Sequence, residues 1–189
     1  MTFRVNLYAD QAFLSMIKRT IKRIERFSEK TRIDHELEEV ASGIILCQSA
    51  FETFLNLLTE ELQLEETIKD KILKANFLDK IELWHQYKSF DYNKTKLPWQ
   101  DIKRLNSVRN WLVHFKTSNI GLISSSSGWI NDGINKIPKF DDAVELKLDR
   151  LKSYYSSVIT CMYIIAKTND VEDLYEHLKT EKYFPLLVG

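Results

Sequence analysis

The run LNSVRNWLVHFK, Leu105–Lys116, holds the side chains best suited to chemistry. Of the four histidines, His114 is the one whose run also carries an Arg, an Asn and a Trp. His35 and His177 stand among acids, and His85 stands among apolar and aromatic residues, where ordinary structural roles suffice. At about 100° per residue on a helix, Leu105, Val108, Leu112 and Phe115 form a buried stripe. Arg109 falls on its edge near Val113, and Asn110 and His114 stand one turn apart on the opposite, open face. A guanidinium at the margin of a packed face calls for an anionic partner. Glu52, mid-helix among apolar neighbours in QSAFETFL, is the best internal candidate. The His114–Asn110 pair has no evident task within the chain. An imidazole titrates near pH ~6.5, so His114, flanked by Trp111 and Lys116, suits proton transfer near a phosphate. An arginine stabilises phosphoryl charge without a metal. The competing account is an ordinary satisfied histidine. Arg109 and His114 are also about 140° apart on one ideal helix, so a single chain does not readily aim both at one phosphate. A second subunit resolves this, as does a helix that ends or kinks before His114.

The elements that must position these residues read as helices. From Asp10, a candidate N-cap, Leu14, Ile17, Ile21 and Ile24 recur at helical steps, while Lys18, Arg19, Lys22, Arg23 and Arg26 make the other face cationic. A second helix is expected from about Asp34 to Leu62, with Ala41, Ile44, Ile45, Phe51, Phe54, Leu55, Leu58 and Leu62 as its core stripe. Residues 66–88 read as one helix or a broken pair divided at Asn76. Pro98 suits the first turn of the helix that carries the chemistry. The last long helix repeats Val144, Leu148, Leu151, Tyr155, Val158, Met162 and Ile165. Tyr154 and Tyr163, beside that stripe, suit either a subunit interface or burial within the monomer. A short polar helix near Val171–Lys179 and the apolar end Phe184–Val188 close the chain.

Residues 117–141 break the pattern with four consecutive Ser, three Gly and one Pro. A connection this long in a small domain carries a function or moves. A short hairpin, Gly121–Ser124 against Trp129–Asn131, is one form it could take. Trp129 would serve there as a contact residue or as a cap on the bundle. The expected architecture is a single all-α domain over 1–189, an antiparallel bundle of about five helices with its core at about 10–168. The long loop precedes the last long helix, and residues 169–189 form a C-terminal segment.

Composition limits the chemistry further. The 189 residues include 27 Lys+Arg and 27 Asp+Glu, with only 5 Gly and 3 Pro, which argues against a turn-rich β sandwich and against disorder. The zero net charge removes the simplest argument for nucleic-acid binding, a globally basic chain. Charge is nonetheless segregated. Nine acids and no Lys or Arg lie between Asp34 and Glu66, whereas six basic residues and one acid lie between Lys94 and Lys116. These are either solvated faces that pair across the bundle or a basic surface for a polyanion. Cys47 and Cys161 form no C-x-x-C pair and read as buried thiols in a reducing compartment. The start MTFRVNLYADQAF lacks the charged end and apolar run of a secretory signal, and no run approaches ~18 consecutive apolar residues. The chain is therefore expected to be soluble and cytoplasmic, with no membrane partner. There is no phosphate loop, no zinc spacing and no base placed to activate Ser124–Ser127, so no metal and no cofactor are expected. The surface acids single out no carboxylate pair.

Arg109-Asn110-Trp111-Leu112-Val113-His114 resembles the R-x4-6-H motif of HEPN domains, including the polar residue that commonly follows the Arg. The resemblance covers about residues 10–168 and leaves the Ser-rich loop and the segment after Thr168 unexplained. It implies an all-α bundle with the motif on a late helix. It also implies metal-independent endoribonuclease activity of a toxin, defence or stress protein, with RNA as substrate and 2′,3′-cyclic phosphate ends as product. The motifs of two subunits would meet in a homodimer to form one composite site. Carried over, His114 is the general acid/base, Arg109 binds the scissile phosphate or holds the site together, and Asn110 orients or contacts the phosphate. Glu52, Trp111 and Lys116 are supporting residues. Many HEPN-like proteins instead bind RNA, nucleotides or a protein without cutting. The alternative is thus a non-catalytic module in a toxin–antitoxin or defence complex, with an antitoxin or a nucleotidyltransferase-type protein as partner. A third reading is a purely structural helical dimer in which an Arg109–Glu52 pair is an internal strut.

Overall fold

The structure, a computed structural model, describes residues 9–114, 123–125, 128–130 and 145–171, together with Asp173, Tyr175, Leu178 and Lys179. Of residues 29–34, 114, 123–125 and 128–130 it describes the backbone only. Among these residues there are six helices: α1 Ala9–Glu25, α2 Glu29–Glu61, α3 Glu66–Lys74, α4 Phe77–Lys88, α5 Trp99–His114 and α6 Leu148–Thr168. One short antiparallel ladder pairs Ile123–Ser125 with Gly128–Ile130, in the register Ile123 to Ile130 and Ser125 to Gly128. It lies within the hairpin region expected from the sequence, with strands shifted from Gly121–Ser124 and Trp129–Asn131.

Helix α2 is the spine, packing on α1, α5 and α6 and, at its end, on α3 and α4. This is why its buried set is wider than a single stripe. Val40, Cys47 and Ala50 are buried together with Ile44, Phe51, Phe54, Leu55 and Leu58, while Ala41, Ile45 and Leu62 are only partly buried. The stretch His35–Glu61 is long and apolar enough by composition to cross a membrane, and 56% of its most apolar window is buried inside the protein. At Gly43 the spine meets α6 closely, since a Cβ there would sit 2.6 Å from Leu151 Cδ2. Both cysteines are free and buried, and burial pushes both thiols well up from their ordinary range.

The element boundaries show where local signals yielded to tertiary ones. Helix α1 buries Leu14, Ile17, Ile21 and Ile24 as the periodicity requires. Asp10 stands in its first turn rather than ahead of it, buried, with Tyr175 Oη donating to Oδ2 at 3.3 Å. Helix α2 starts at Glu29 instead of Asp34. Residues 66–88 are the broken pair, and Asn76 caps α4 by accepting the Asp79 N–H at 3.1 Å. Helix α6 starts at Leu148, not Val144, because Glu36 of α2 accepts the Leu148 N–H at 2.9 Å and supplies the cap that Lys147 lacks. Tyr154 and Tyr163 are buried within the monomer, which removes them from any subunit interface.

Candidate functional site

Helix α5 has two polar ends to its story, and they face different neighbours. Asp101 meets α6, and Arg104 meets Glu145, three residues ahead of α6. Ser153 Oγ and Ser157 Oγ donate to Asp101 Oδ2 at 2.6 and 3.1 Å, and Arg150 Nη1 lies 4.0 Å from Oδ1. Arg104 Nε donates to Glu145 Oε1 at 2.8 Å, with Nη2 on the same oxygen, and Tyr154 Oη donates to Oε2 at 2.7 Å. Burial would raise the Glu145 carboxyl, but the hydrogen bonds from Arg104 and Tyr154 and the charges of Arg104 and Arg150 outweigh it and hold it below the ordinary range. Tyr154 moves up, through burial and then through its bond to Glu145. Every charge in this network has a partner.

Five residues on from Arg104, about 140° around the helix, Arg109 faces the other way. It lines a cleft of about 510 Å³ together with Asn106 and Asn110 of α5, Gln48 and Glu52 of α2, and Asn76 and Phe77 where α4 begins. Arg109 Nη1 donates to Asn110 Oδ1 at 3.1 Å. No described carboxylate lies within ion-pair distance of its guanidinium. Glu52, on the opposite wall, is engaged instead by Lys80 of α4, whose Nζ donates to Glu52 Oε1 at 3.2 Å and to Asn56 Oδ1 at 2.8 Å. Lys80 is almost fully buried, so its ammonium takes the carboxylate it can reach. The expected Arg109–Glu52 strut does not form, and the cleft keeps a cation on one wall and a carboxylate on the other. Gln48, one turn before Glu52, is 4% exposed, and its Oε1 has no hydrogen-bond partner. A buried carbonyl left unpaired costs about 1–3 kcal/mol, so this side chain is not there for stability.

The expected site residues are thus partly assembled. Arg109 and Asn110 come together, and Asn110 is half-buried in the cleft rather than on an open face. Glu52 lines the same cleft without touching Arg109. The helix runs through His114, so it does not stop short of the motif's last residue, and the His114 backbone sits one turn beyond Asn110. The His114 side chain and Lys116 lie outside the described residues. Trp111 packs against the core and does not line the cleft. Gln48, Asn76, Phe77 and Asn106 were not signalled by the motif. The available signal was polar residues at i, i+4 on two helices, Gln48 with Glu52 and Asn106 with Asn110. Among the described residues no group of three or more His, Cys, Asp or Glu gathers as a metal centre.

The basic stretch is also divided by function. Lys94 pairs with Glu82 and Arg104 with Glu145, Lys96 and Lys103 are exposed, and Arg109 faces the cleft. On α1, Arg19, Lys22, Arg23 and Arg26 border a second cleft with Phe27, and Arg23 pairs with Glu39 of the acidic run on α2. No family model, no curated protein and no solved structure matches the chain.

Proposed function

We propose that this chain is a HEPN-like, metal-independent endoribonuclease of the toxin or defence kind, acting as a homodimer. The observation that carries the reading is Arg109, a half-buried guanidinium that lines an open cleft, is oriented by Asn110, and has no described carboxylate to neutralise it. An arginine held this way is available to an anion from outside the chain. His114 follows on the same helix, one turn past Asn110.

The chemistry needs two proton transfers. One histidine takes the proton of a ribose 2′-hydroxyl, and the 2′-oxygen forms a bond to phosphorus. The bond from phosphorus to the 5′-oxygen breaks, and a second histidine protonates that leaving oxygen. The products are a 2′,3′-cyclic phosphate and a 5′-hydroxyl, so no water is consumed and no oxidant is required. Arg109 holds the non-bridging oxygens, whose charge grows in the transition state. Asn110, whose Oδ1 is occupied by Arg109, keeps its N–H groups for the same phosphate. One His114 per subunit supplies acid and base when two copies meet. Val113, exposed at 45%, gives the end of α5 an apolar contact for the second copy.

The test is cleavage of total and defined RNA with EDTA present, wild type beside His114→Ala. Proton-transfer groups contribute about 10²–10⁴-fold, so the variant should lose at least about a hundredfold in rate. A folded protein that never cuts RNA overturns this reading and favours the non-catalytic binding module.

A further inference from the structure

We infer that Lys80 is a positioning residue for the Arg109 site: by holding the Glu52 carboxylate on the opposite wall of the cleft, it keeps the guanidinium open to an RNA phosphate. The inference rests on the endoribonuclease reading for its substrate. Its basis is local. Phe51 of α2 and Phe77 of α4 meet edge to face with ring centroids 5.6 Å apart, and the Asn76 cap fixes the first turn of α4 beside them. Lys80 closes that turn, its N–H donating to Asn76 O at 2.9 Å. Its Nζ is thereby carried to Glu52 and Asn56, one turn apart on α2, at 3.2 and 2.8 Å. Lys80 is 4% exposed and does not line the cleft, whereas Glu52 and Arg109 both do. Lys80 therefore acts on the cleft through Glu52, not on a ligand directly.

Without that ammonium the same carboxylate works against the site. Helices α2 and α5 pack on each other, and packed helix axes lie about 8–10 Å apart, a gap that a glutamate and an arginine side chain bridge between them. Arg109 is the one cation among the described residues that line the cleft, so a Glu52 released by Lys80 has Arg109 as its remaining partner there. Such a pair would fill the anion site from within the chain. A carboxylate that stopped short of the guanidinium would still repel a phosphate held on it. Both routes weaken anion binding, and both vanish when Glu52 is made neutral. A lysine of purely structural value would show no such dependence on Glu52.

The experiment uses the full chain in EDTA and a labelled 2′-O-methyl oligoribonucleotide, which is not cut because its attacking hydroxyl is blocked. Binding of this probe is read by fluorescence anisotropy, and cleavage of unmodified RNA is measured beside it. The proteins are wild type, Lys80→Met and Lys80→Met/Glu52→Gln, each with a melting curve. Lys80→Met should bind the probe about tenfold more weakly and cut RNA correspondingly more slowly, and adding Glu52→Gln should recover most of that loss. Lys80→Gln, which keeps a donor for Asn56 and removes only the charge, should repeat the loss, so a fold defect confined to Lys80→Met leaves the test intact. Lys80 variants that bind the probe like wild type overturn the inference, and so does a loss that Glu52→Gln fails to recover. The two readings fail separately. RNA cut by Lys80→Met as fast as by wild type removes the role of Lys80 and keeps the nuclease. Probe binding that falls and recovers as expected, with no cleavage by any of the proteins, keeps the role of Lys80 and removes the nuclease.

Discussion

Arg104 and Arg109 leave the same helix five residues apart and meet opposite conditions. Arg104 reaches a fully buried carboxylate, Glu145, which Tyr154 also satisfies. Arg109 reaches an asparagine and open space, with its nearest expected carboxylate taken by Lys80. The half-turn between them decides this, because one side of α5 is packed against α6 and the other borders a cleft. A charge closed off by its own chain does structural work. A charge left facing a cleft is, on the proposed function, the one available to a ligand.

Substitutions sharpen that contrast, and the largest effect is expected where the network is closed. Arg104→Met leaves the buried Glu145 carboxylate with only the Tyr154 hydroxyl and should cost about 3 kcal/mol. For a chain of this length that is a melting temperature lower by roughly 6–12 °C. Glu145→Gln should cost about 2 kcal/mol, because Arg104 is partly exposed and turns to water while Tyr154 keeps an acceptor. Its pH dependence has a definite sign. Glu145 titrates below the ordinary carboxylate range when folded, so its contribution is fully present above pH ~4.3 and is lost as pH falls through the folded value. Melting of wild type and Glu145→Gln should therefore converge on acidification, and a gap that widens would contradict the assignment.

The smallest stability effects belong to the cleft. Arg109→Met should change stability by less than about 0.5 kcal/mol, since no described ion pair is broken. A loss of several degrees in its melting temperature would mean that Arg109 is a strut after all. On the proposed function, raising salt should weaken RNA binding through Arg109 while leaving the Arg104–Glu145 network nearly untouched.

The sequence carried the helices well and the pairings poorly. Steps of three and four among Leu14, Ile17, Ile21 and Ile24, and along Leu151, Tyr155, Val158 and Met162, record burial directly, so α1 and most of α6 were legible. The break at Asn76 was legible as an option, and the cap it makes with Asp79 decides it. The start of α6 was not, because its cap comes from Glu36, more than a hundred residues earlier. The motif drew attention to a stretch of α5 whose Arg109 and Asn110 line the cleft. The choice of Lys80 over Arg109 by Glu52 depends on how α4 lies against α2, which no local pattern encodes. Gln48 was passed over for a related reason. Among apolar neighbours, a single polar residue reads as tolerated until its missing partner is seen.

On the proposed function, activity resides at the open arginine and structure at the closed one. Equal amounts of folded wild type, Arg104→Met and Arg109→Met protein should be compared for RNA cleavage in EDTA at a temperature below every melting transition. Arg104→Met should melt lower yet still cut, while Arg109→Met should melt like wild type and lose at least about a hundredfold in rate. Cleavage that persists in Arg109→Met would contradict the proposed function.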